Sequence, residues 1–580
     1  MKRIIRILSI IMLGTIISIS IIYLSIWATG VYHDLQYRYA IYKKKQNPAV
    51  TYYLSPGGNN ANSGRSRSDA WKTIGQLNKV EFNPGDKVLF EGGQTFSGTL
   101  VLDSHDLGAP DKPILISSYG SGVATIEAGK VDGISTNNTA GLSISRLKIT
   151  GSGEASNTGI GIRITNDLWG NVTLPYLRIS QVDVSGFGIY GIGIQGRKWK
   201  SGFKDCQVAY SSLHDNAEAG LYIEGIFEFL SSSYAHEQVV IHHVMAYNNH
   251  GKNGPELPNT GSGIVLSDVD NGLIERCVAH HNGERSNSQQ GGPVGIWAWD
   301  SNNITIQHNV SYQNKTGGKK DGGGFDLDGG ITNSVMQYNY SHDNDGSGYL
   351  FAQFPYARES ENNIIRYNIS QNDGRKNNTA GIYFWGEFRD SYIYNNTVYI
   401  AESATSRPSA IKVEHNHLAP SYQSQLPSNA KFFNNILVCT SGLPLINQPY
   451  DIRDFIFRNN NYYSPDSAIT FIWKNKVYRT LTEWRNATKQ EMDKTAIYGF
   501  NENPQLVGLG KGPIINNADS LNKLYCYDLL PTSPMIDRGL NIDVFLNSHT
   551  QSIDFHRKAV PNKLKLDLGA VEFTRYIQSI

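Results

Sequence analysis

The 580-residue chain has only four cysteines, and its net charge is +1. Cys206, Cys277, Cys439 and Cys526 are too few and too scattered for a disulfide framework, and none forms the CxxC pair that zinc or redox chemistry uses, so they are expected as packing residues. Scattered basic residues leave no electrostatic footprint for nucleic acid, which excludes that class of partner. Long amphipathic helical patterns are scarce after the N-terminus, which argues against a chain of compact helical domains. What is abundant is glycine (57 residues), asparagine, and tyrosine over phenylalanine (33 against 21). That composition fits one extended all-β body.

The one long apolar run lies at the start. Residues 7–31, ILSIIMLGTIISISIIYLSIWATGV, carry no charge except at their borders, where Lys2, Arg3 and Arg6 precede them. The run exceeds the roughly 20 residues that span a bilayer and is longer than a usual secretory core, so a signal anchor with an extracytoplasmic body is expected. Arg38, Lys43, Lys44 and Lys45 blur the orientation given by flanking charge. Cleavage near Ala28, Thr29 and Gly30, releasing a secreted protein, is the alternative.

Beyond residue 50 the chain repeats itself. One phrase recurs as GLYIEG (220–225), GIVLSD (263–268), GIWAWD (295–300), GFDLDG (324–329), GYLFAQ (348–353), GIYFWG (381–386) and AIKVEH (410–415). A second recurs in step and ends on Asn216, Asn249, Asn282, Asn314, Asn344 and Asp373. Two phrases repeating together at a few tens of residues predict stacked rungs. Asparagine recurring at one turn position predicts a ladder of stacked amides, and asparagine also tolerates left-handed backbone. N-x-S/T triplets such as the one at Asn309 are then by-products of the ladder rather than glycan acceptors.

The repeats resemble right-handed parallel β-helices of the pectate-lyase-like superfamily. The opening YYLSPGGNNANSGRSRSDAWKTIGQLNKVEFNPGDKVLFEGGQTFSG (52–98) and the closing stretch from LLPTSPMIDRGLNIDV to LDLGAVEF (529–573) are similar to the way many bacterial members begin and end. The resemblance implies an all-β, single-stranded right-handed parallel β-helix, here with an N-terminal transmembrane helix. Its expected parts are 1–45 as anchor and juxtamembrane segment, 50–525 as the solenoid, and 526–580 as a C-terminal cap. Residues 465–525 read as an insertion or helix-bearing excursion. Most characterised members of that superfamily process acidic or neutral polysaccharides, and some are adhesins or tailspikes, so the fold does not choose a function.

Aligning the repeats assigns outward side chains to two columns. The first is Tyr222, Val265, Trp297, Asp326, Leu350, Tyr383 and Lys412; the second is Glu224, Ser267, Trp299, Asp328, Ala352, Trp385 and Glu414. In GGGFDLDGG a strand period of two puts Phe325 and Leu327 on one face and Asp326 and Asp328 on the other. Trp297, Trp299, Tyr383 and Trp385 flank that acidic rung, and aromatic rings are platforms for the apolar faces of sugars. With Lys412, Glu414 and Glu224 they are the expected substrate-binding residues, unless a long loop covers them. Carboxylates at i and i+2 repel, which raises the pKa of at least one, as a general acid requires. The leading expectation is a glycoside hydrolase that uses Asp326 and Asp328, with no cofactor.

A calcium-dependent lyase or uronate epimerase is the second expectation. Its metal would sit among Asp321, Asp343 and Asp345, with Lys319 or Lys320 as the base. Two DG turns one rung apart are faintly similar to one such lyase family, but the strand position where that family carries its lysine is acidic here. His342 reads as a solvent-facing turn residue. The third expectation is a non-catalytic glycan-binding or adhesive protein. In each case the partner is a polysaccharide or oligosaccharide.

Overall fold

The structure is a computed structural model that describes all residues except 1, 229–230, 416–426, 451, 453, 495, 547–552, 561–564 and 574–580. Before residue 24 it describes only some of the side chains. The strands stack into two parallel sheets that coil as an all-β right-handed helix. Seven consecutive strands of the 14-stranded sheet carry the first repeated phrase. They are β1 (Ala219–Glu224), β2 (Ser262–Ser267), β3 (Val294–Trp299), β4 (Gly323–Leu327), β5 (Tyr349–Ala352), β6 (Ala380–Trp385) and β7 (Ser409–Glu414).

Their register is the one read from the repeats. Leu221 lies beside Ile264, Ile264 beside Ile296, Ile296 beside Phe325, and the column continues through Tyr349, Ile382 and Ile411. All of these point inward and are buried, as are Ile223, Leu266, Leu327, Phe351, Phe384 and Val413 two residues on. Slipping one strand by one residue would put its whole apolar set in the groove, so the alternation locks the register. The other sheet turns corners within single strands. Thr173–Ser185, for example, bends where Tyr176 and Gln181 take left-handed φ values of 67° and 54°.

The expected amide ladder is present. The side-chain nitrogen of Asn216 donates to Asn249, and the chain of bonds continues through Asn282, Asn314 and Asn344 to Asp373, each 2.8–3.2 Å long. A second ladder runs at another corner from Asn309 through Asn339, Asn368, Asn396, Asn435 and Asn460 to Glu491. One expectation about these turns is corrected. The left-handed residue is not the ladder asparagine but its predecessor: Asp215, Asn248, His281, Gln313, Asp343 and Asn372, with φ of 50–56°. The corner backbone is bought by the neighbour, and the buried amide is left in an ordinary conformation to bond along the column.

Asp373 closes the first ladder as an acceptor from Asn344 and Ser370, and burial pushes its carboxyl up to about 7. A raised carboxyl stabilises the fold fully below its unfolded pKa near 4, and that contribution is lost as pH rises through about 7. Ser311–Asn314 and Ser341–Asn344 show that an asparagine fits this position, donating to the serine three residues earlier at 3.0 Å. Asp373→Asn should therefore raise the urea-unfolding midpoint at pH 8, with the gain shrinking toward pH 5. An equal or lower midpoint at pH 8 would show that the ladder needs the charge.

Separate devices cover the ends. At the start, Tyr52 stacks on Trp71 at 5.4 Å, and Ile74, Leu77 and Phe82 close the first rung. At the far end the segment 465–525 does contain a helix, Leu481–Thr488, started by a reciprocal cap between Thr480 and Glu483. Its Trp484 is fully buried and stacks on Phe471 at 4.5 Å. The described part of 526–580 does not cap that end. It lies along the flank of the solenoid, where Met535, Phe555 and Leu568 pack against strand residues such as Val310, Tyr340 and Ile436.

Residues Lys2–Lys44 form one helix, whose last turns meet the body: Lys44 Nζ donates to Phe82 O at 3.2 Å, and Lys45 pairs with Asp111 at 2.6 Å. Among the described residues no helix is long and apolar enough to cross a membrane, so the structure does not support the expected transmembrane span.

Candidate active site

Outward side chains of β3 to β7 floor a groove of about 840 Å³, walled by loops that bring in Phe227, Gln289, Lys319, Lys320, Phe354, Asn377 and Asn378. Strand pairing sets Trp297 beside Asp326, Asp326 beside Leu350, and Leu350 beside Tyr383, which lies beside Lys412. Asp326 and Asp328 both line the groove, with Trp299 on one side and Trp385 two rungs away on the other. The low Leu350 and Ala352 of β5 leave the space next to the acids open.

The two aspartates have different surroundings. Asp326 is 2 % exposed, and its Oδ1 has no hydrogen-bond partner among the described residues. Burial, then the charges of Asp328 and Asp321, holds its carboxyl well above the usual carboxylate range. Asp328 directly follows the strand, is half-buried and accepts from Gly329 N at 2.6 Å. Burial lifts its carboxyl to about 7, and the Gly329 bond opposes that rise. One carboxyl is thus held well above the usual carboxylate range and its neighbour is lifted to about 7, the kind of separation that acid–base chemistry uses.

The structure divides the four expected aromatics. Trp299, Tyr383 and Trp385 are half-buried groove residues. Trp297, expected to be open, is 2 % exposed: its Nε1 donates to Ser262 Oγ at 3.2 Å and its ring packs on Val265 and Val294. Register fixes the face a side chain leaves from but not its rotamer, and Trp297 lies back over the preceding rung, that of Ser262 and Val265. Glu414 accepts from Tyr383 OH at 2.5 Å and pairs with Lys412 at 2.9 Å, so these three form one polar unit at the groove's end. Lys320 Nζ lies 5.7 Å from the Trp385 ring centre. Glu224 is outside the lining, where it accepts from Gln195 at 2.6 Å and lies 3.6 Å from Arg197.

The acids considered for a metal do not converge. Asp321 accepts from Gly292 N, Asp343 pairs with His342, and Asp345 with Lys315 and Thr316 N. Among the described residues no three of His, Cys, Asp and Glu gather as ligands, so this set does not fit the six to eight oxygens that calcium takes. His342 is not solvent-facing either. It is fully buried between Tyr312 and Tyr340, at 4.9 and 4.6 Å.

Sequence reasoning missed Phe227 and Phe354, which stand 5.8 and 6.1 Å from Trp299 and 5.9 Å from each other. Each follows its strand phrase by one or two residues, the signal that could have found them.

No family model matches the sequence. Over 448 aligned residues the chain is 25 % identical to lacto-N-biosidase of Bifidobacterium longum subsp. longum, covering 60 % of this chain but 27 % of that protein. The chain thus spans little more than a quarter of that relative's length. Among solved structures, a GH136 lacto-N-biosidase from Eubacterium ramulus superposes with a TM-score of 0.50 and 18 % identity, covering 72 % of this chain and 68 % of that one. Pectate lyase Pel9A matches with a TM-score of 0.43 and 16 % identity over 91 % and 97 %. The protein has a parallel β-helix fold.

Proposed function

We propose that the protein is a glycoside hydrolase acting on an oligosaccharide or polysaccharide outside the cytoplasm. Asp326 is its general acid, and Asp328 is its base or nucleophile. The observation that carries this is the adjacent carboxyl pair, one raised well above the usual carboxylate range and one lifted to about 7, at the floor of an aromatic groove. The similarity to a protein named lacto-N-biosidase supports glycosidase chemistry. Export by the apolar segment 7–31 rests on the sequence. Asp326 gives its proton to the glycosidic oxygen as the bond breaks, while ionised Asp328 attacks the anomeric carbon or takes a proton from water. Trp299, Tyr383 and Trp385 offer ring faces to the sugars on either side. The second reading, a lyase with Lys319 or Lys320 as base, is favoured by both lysines lining the same groove.

The discriminating experiment incubates residues 46–580 with an oligosaccharide panel, following both new reducing ends and the absorbance of unsaturated uronates, with and without chelator. Hydrolysis predicts reducing ends alone. Ultraviolet-absorbing products would select the lyase. The pH profile follows from the pair. Since Asp328 must be ionised, kcat/KM should rise tenfold per pH unit below about 7 and level off above it, then fall only where Asp326 deprotonates. The two apparent values belong to the coupled pair. A profile flat from pH 5 to 8 counts against the assignment.

A further inference from the structure

Beneath one end of the groove lies a closed set of four charges. Lys200 Nζ donates to both oxygens of Asp268, at 2.8 and 2.9 Å, and to Ile226 O at 2.8 Å. Arg358 Nε donates to Asp300 Oδ1 at 2.5 Å, and a terminal nitrogen reaches Asp268 at 3.4 Å. The other terminal nitrogen donates to Ser231 O and Ser233 O, and the guanidinium lies 4.2 Å over the Tyr234 ring. The side chains of Lys200, Asp268 and Asp300 are at most 1 % exposed, and that of Arg358 is 10 % exposed. Removing four charges from water costs more than their pairing reliably returns, so such a network is better explained by the geometry it imposes than by the stability it adds.

The imposed geometry concerns the groove. Ile226 and Ser231 flank Phe227 on one loop, and Arg358 holds the loop that carries Phe354. The same arginine reaches the turn that follows Asp328. Asp300, its partner, donates its backbone N–H to Gly329 O at 2.8 Å, while Gly329 N donates to Asp328 Oδ1. Gly330 N donates to Gln353 Oε1 at 3.0 Å, and Gln353 Nε2 donates to Arg358 O at 2.7 Å. Gly329 is so close to the Phe354 ring that a Cβ there would stand 2.3 Å from it. One hydrogen-bonded circuit therefore joins the aromatic wall to the carboxylate.

We infer that Phe227, Trp299 and Phe354 form a subsite for the apolar face of a sugar ring, and that Arg358 is the positioning residue for this wall and for the turn holding Asp328. The inference rests on the acid–base reading of Asp326 and Asp328. Phe354→Ala removes wall without touching charge, and should raise KM about tenfold with kcat within about twofold, as lost uniform binding does. Arg358→Lys keeps the charge and loses the fork. It should raise KM similarly and also move the lower limb of kcat/KM to higher pH, because the Gly329 bond that holds the Asp328 carboxyl down is loosened. Gln353→Ala cuts the link from Gly330 to Arg358 and should move the same limb, which keeps the idea testable if the lysine variant does not fold.

Values are taken per folded enzyme. If KM stays at the parent value in Phe354→Ala, the subsite is wrong. If Arg358→Lys and Gln353→Ala leave both KM and the limb unchanged, Arg358 is only an anchor. Asp328→Asn, measured beside them, separates the two levels. Parent-like turnover there removes the acid–base reading itself, whereas its loss together with an unaffected Arg358→Lys overturns this inference alone.

Discussion

Asp328→Asn should fold like the parent and turn over its substrate at least about two orders of magnitude more slowly, the usual weight of a positioned acid or base. Asparagine can still accept from Gly329 N, and no ion pair is lost, so the change is chemical rather than structural. Asp326→Asn should be as damaging on a natural glycoside. Its Oδ1 has no partner to lose among the described residues, and burial disfavours the charged form of the carboxyl, so an amide of the same shape costs the fold little. The two variants should separate on an aryl glycoside whose leaving group needs no proton. There Asp326→Asn recovers much of its rate, while Asp328→Asn does not. Parent-like rates for both on any cleaved substrate would move the chemistry elsewhere in the groove.

The second large effect is on stability. Asn344→Ala should cost about 3–6 kcal/mol in urea unfolding, because it strands several buried groups at once and each costs about 1–3 kcal/mol. The Asn344 amide nitrogen donates to Ser311 O, Ser341 Oγ and Asp373 Oδ1, and its oxygen accepts from the backbone and side-chain nitrogens of Asn314. Ladder members also polarise one another, so the loss is shared by neighbouring rungs. A cost below about 1 kcal/mol would mean that water replaces the amide at this corner.

The solenoid was legible because its determinants are periodic. Inward Ile296, Phe325 and Tyr349 and outward Asp326 repeat in the chain as they do in space, so alignment of the phrases gave register directly. The acid pair followed from the same period. What escaped reading is what period does not encode. Trp297 leaves the correct face but folds back over the preceding rung. Phe227, Phe354 and Arg358 sit on loops, whose course depends on long-range contacts such as Arg358 to Asp300 across 58 residues. His342 was misplaced because the chain that covers its face returns from far downstream: Tyr312, stacked on His342, bonds Asn516. Residues 526–580 were assigned to an end because they come last, although nothing in their sequence states which surface they meet.

That returning C-terminal stretch changes how the molecule can come apart. A bare solenoid couples each rung only to its neighbours, so it can fray from either end. Here Phe500 bonds the rung of Asn460, Asp519 reaches Arg276 and His243, and Gly569 comes back to Asn434. A single covalent stretch thus fastens rungs that lie as far apart in the chain as His243 and Asn460, like lacing across the slats of a blind. Opening any one rung beneath it means lifting the lace from the others, which turns a row of locally coupled units into one cooperative block. It also means that the block is complete only after the chain has been made as far as Gly569.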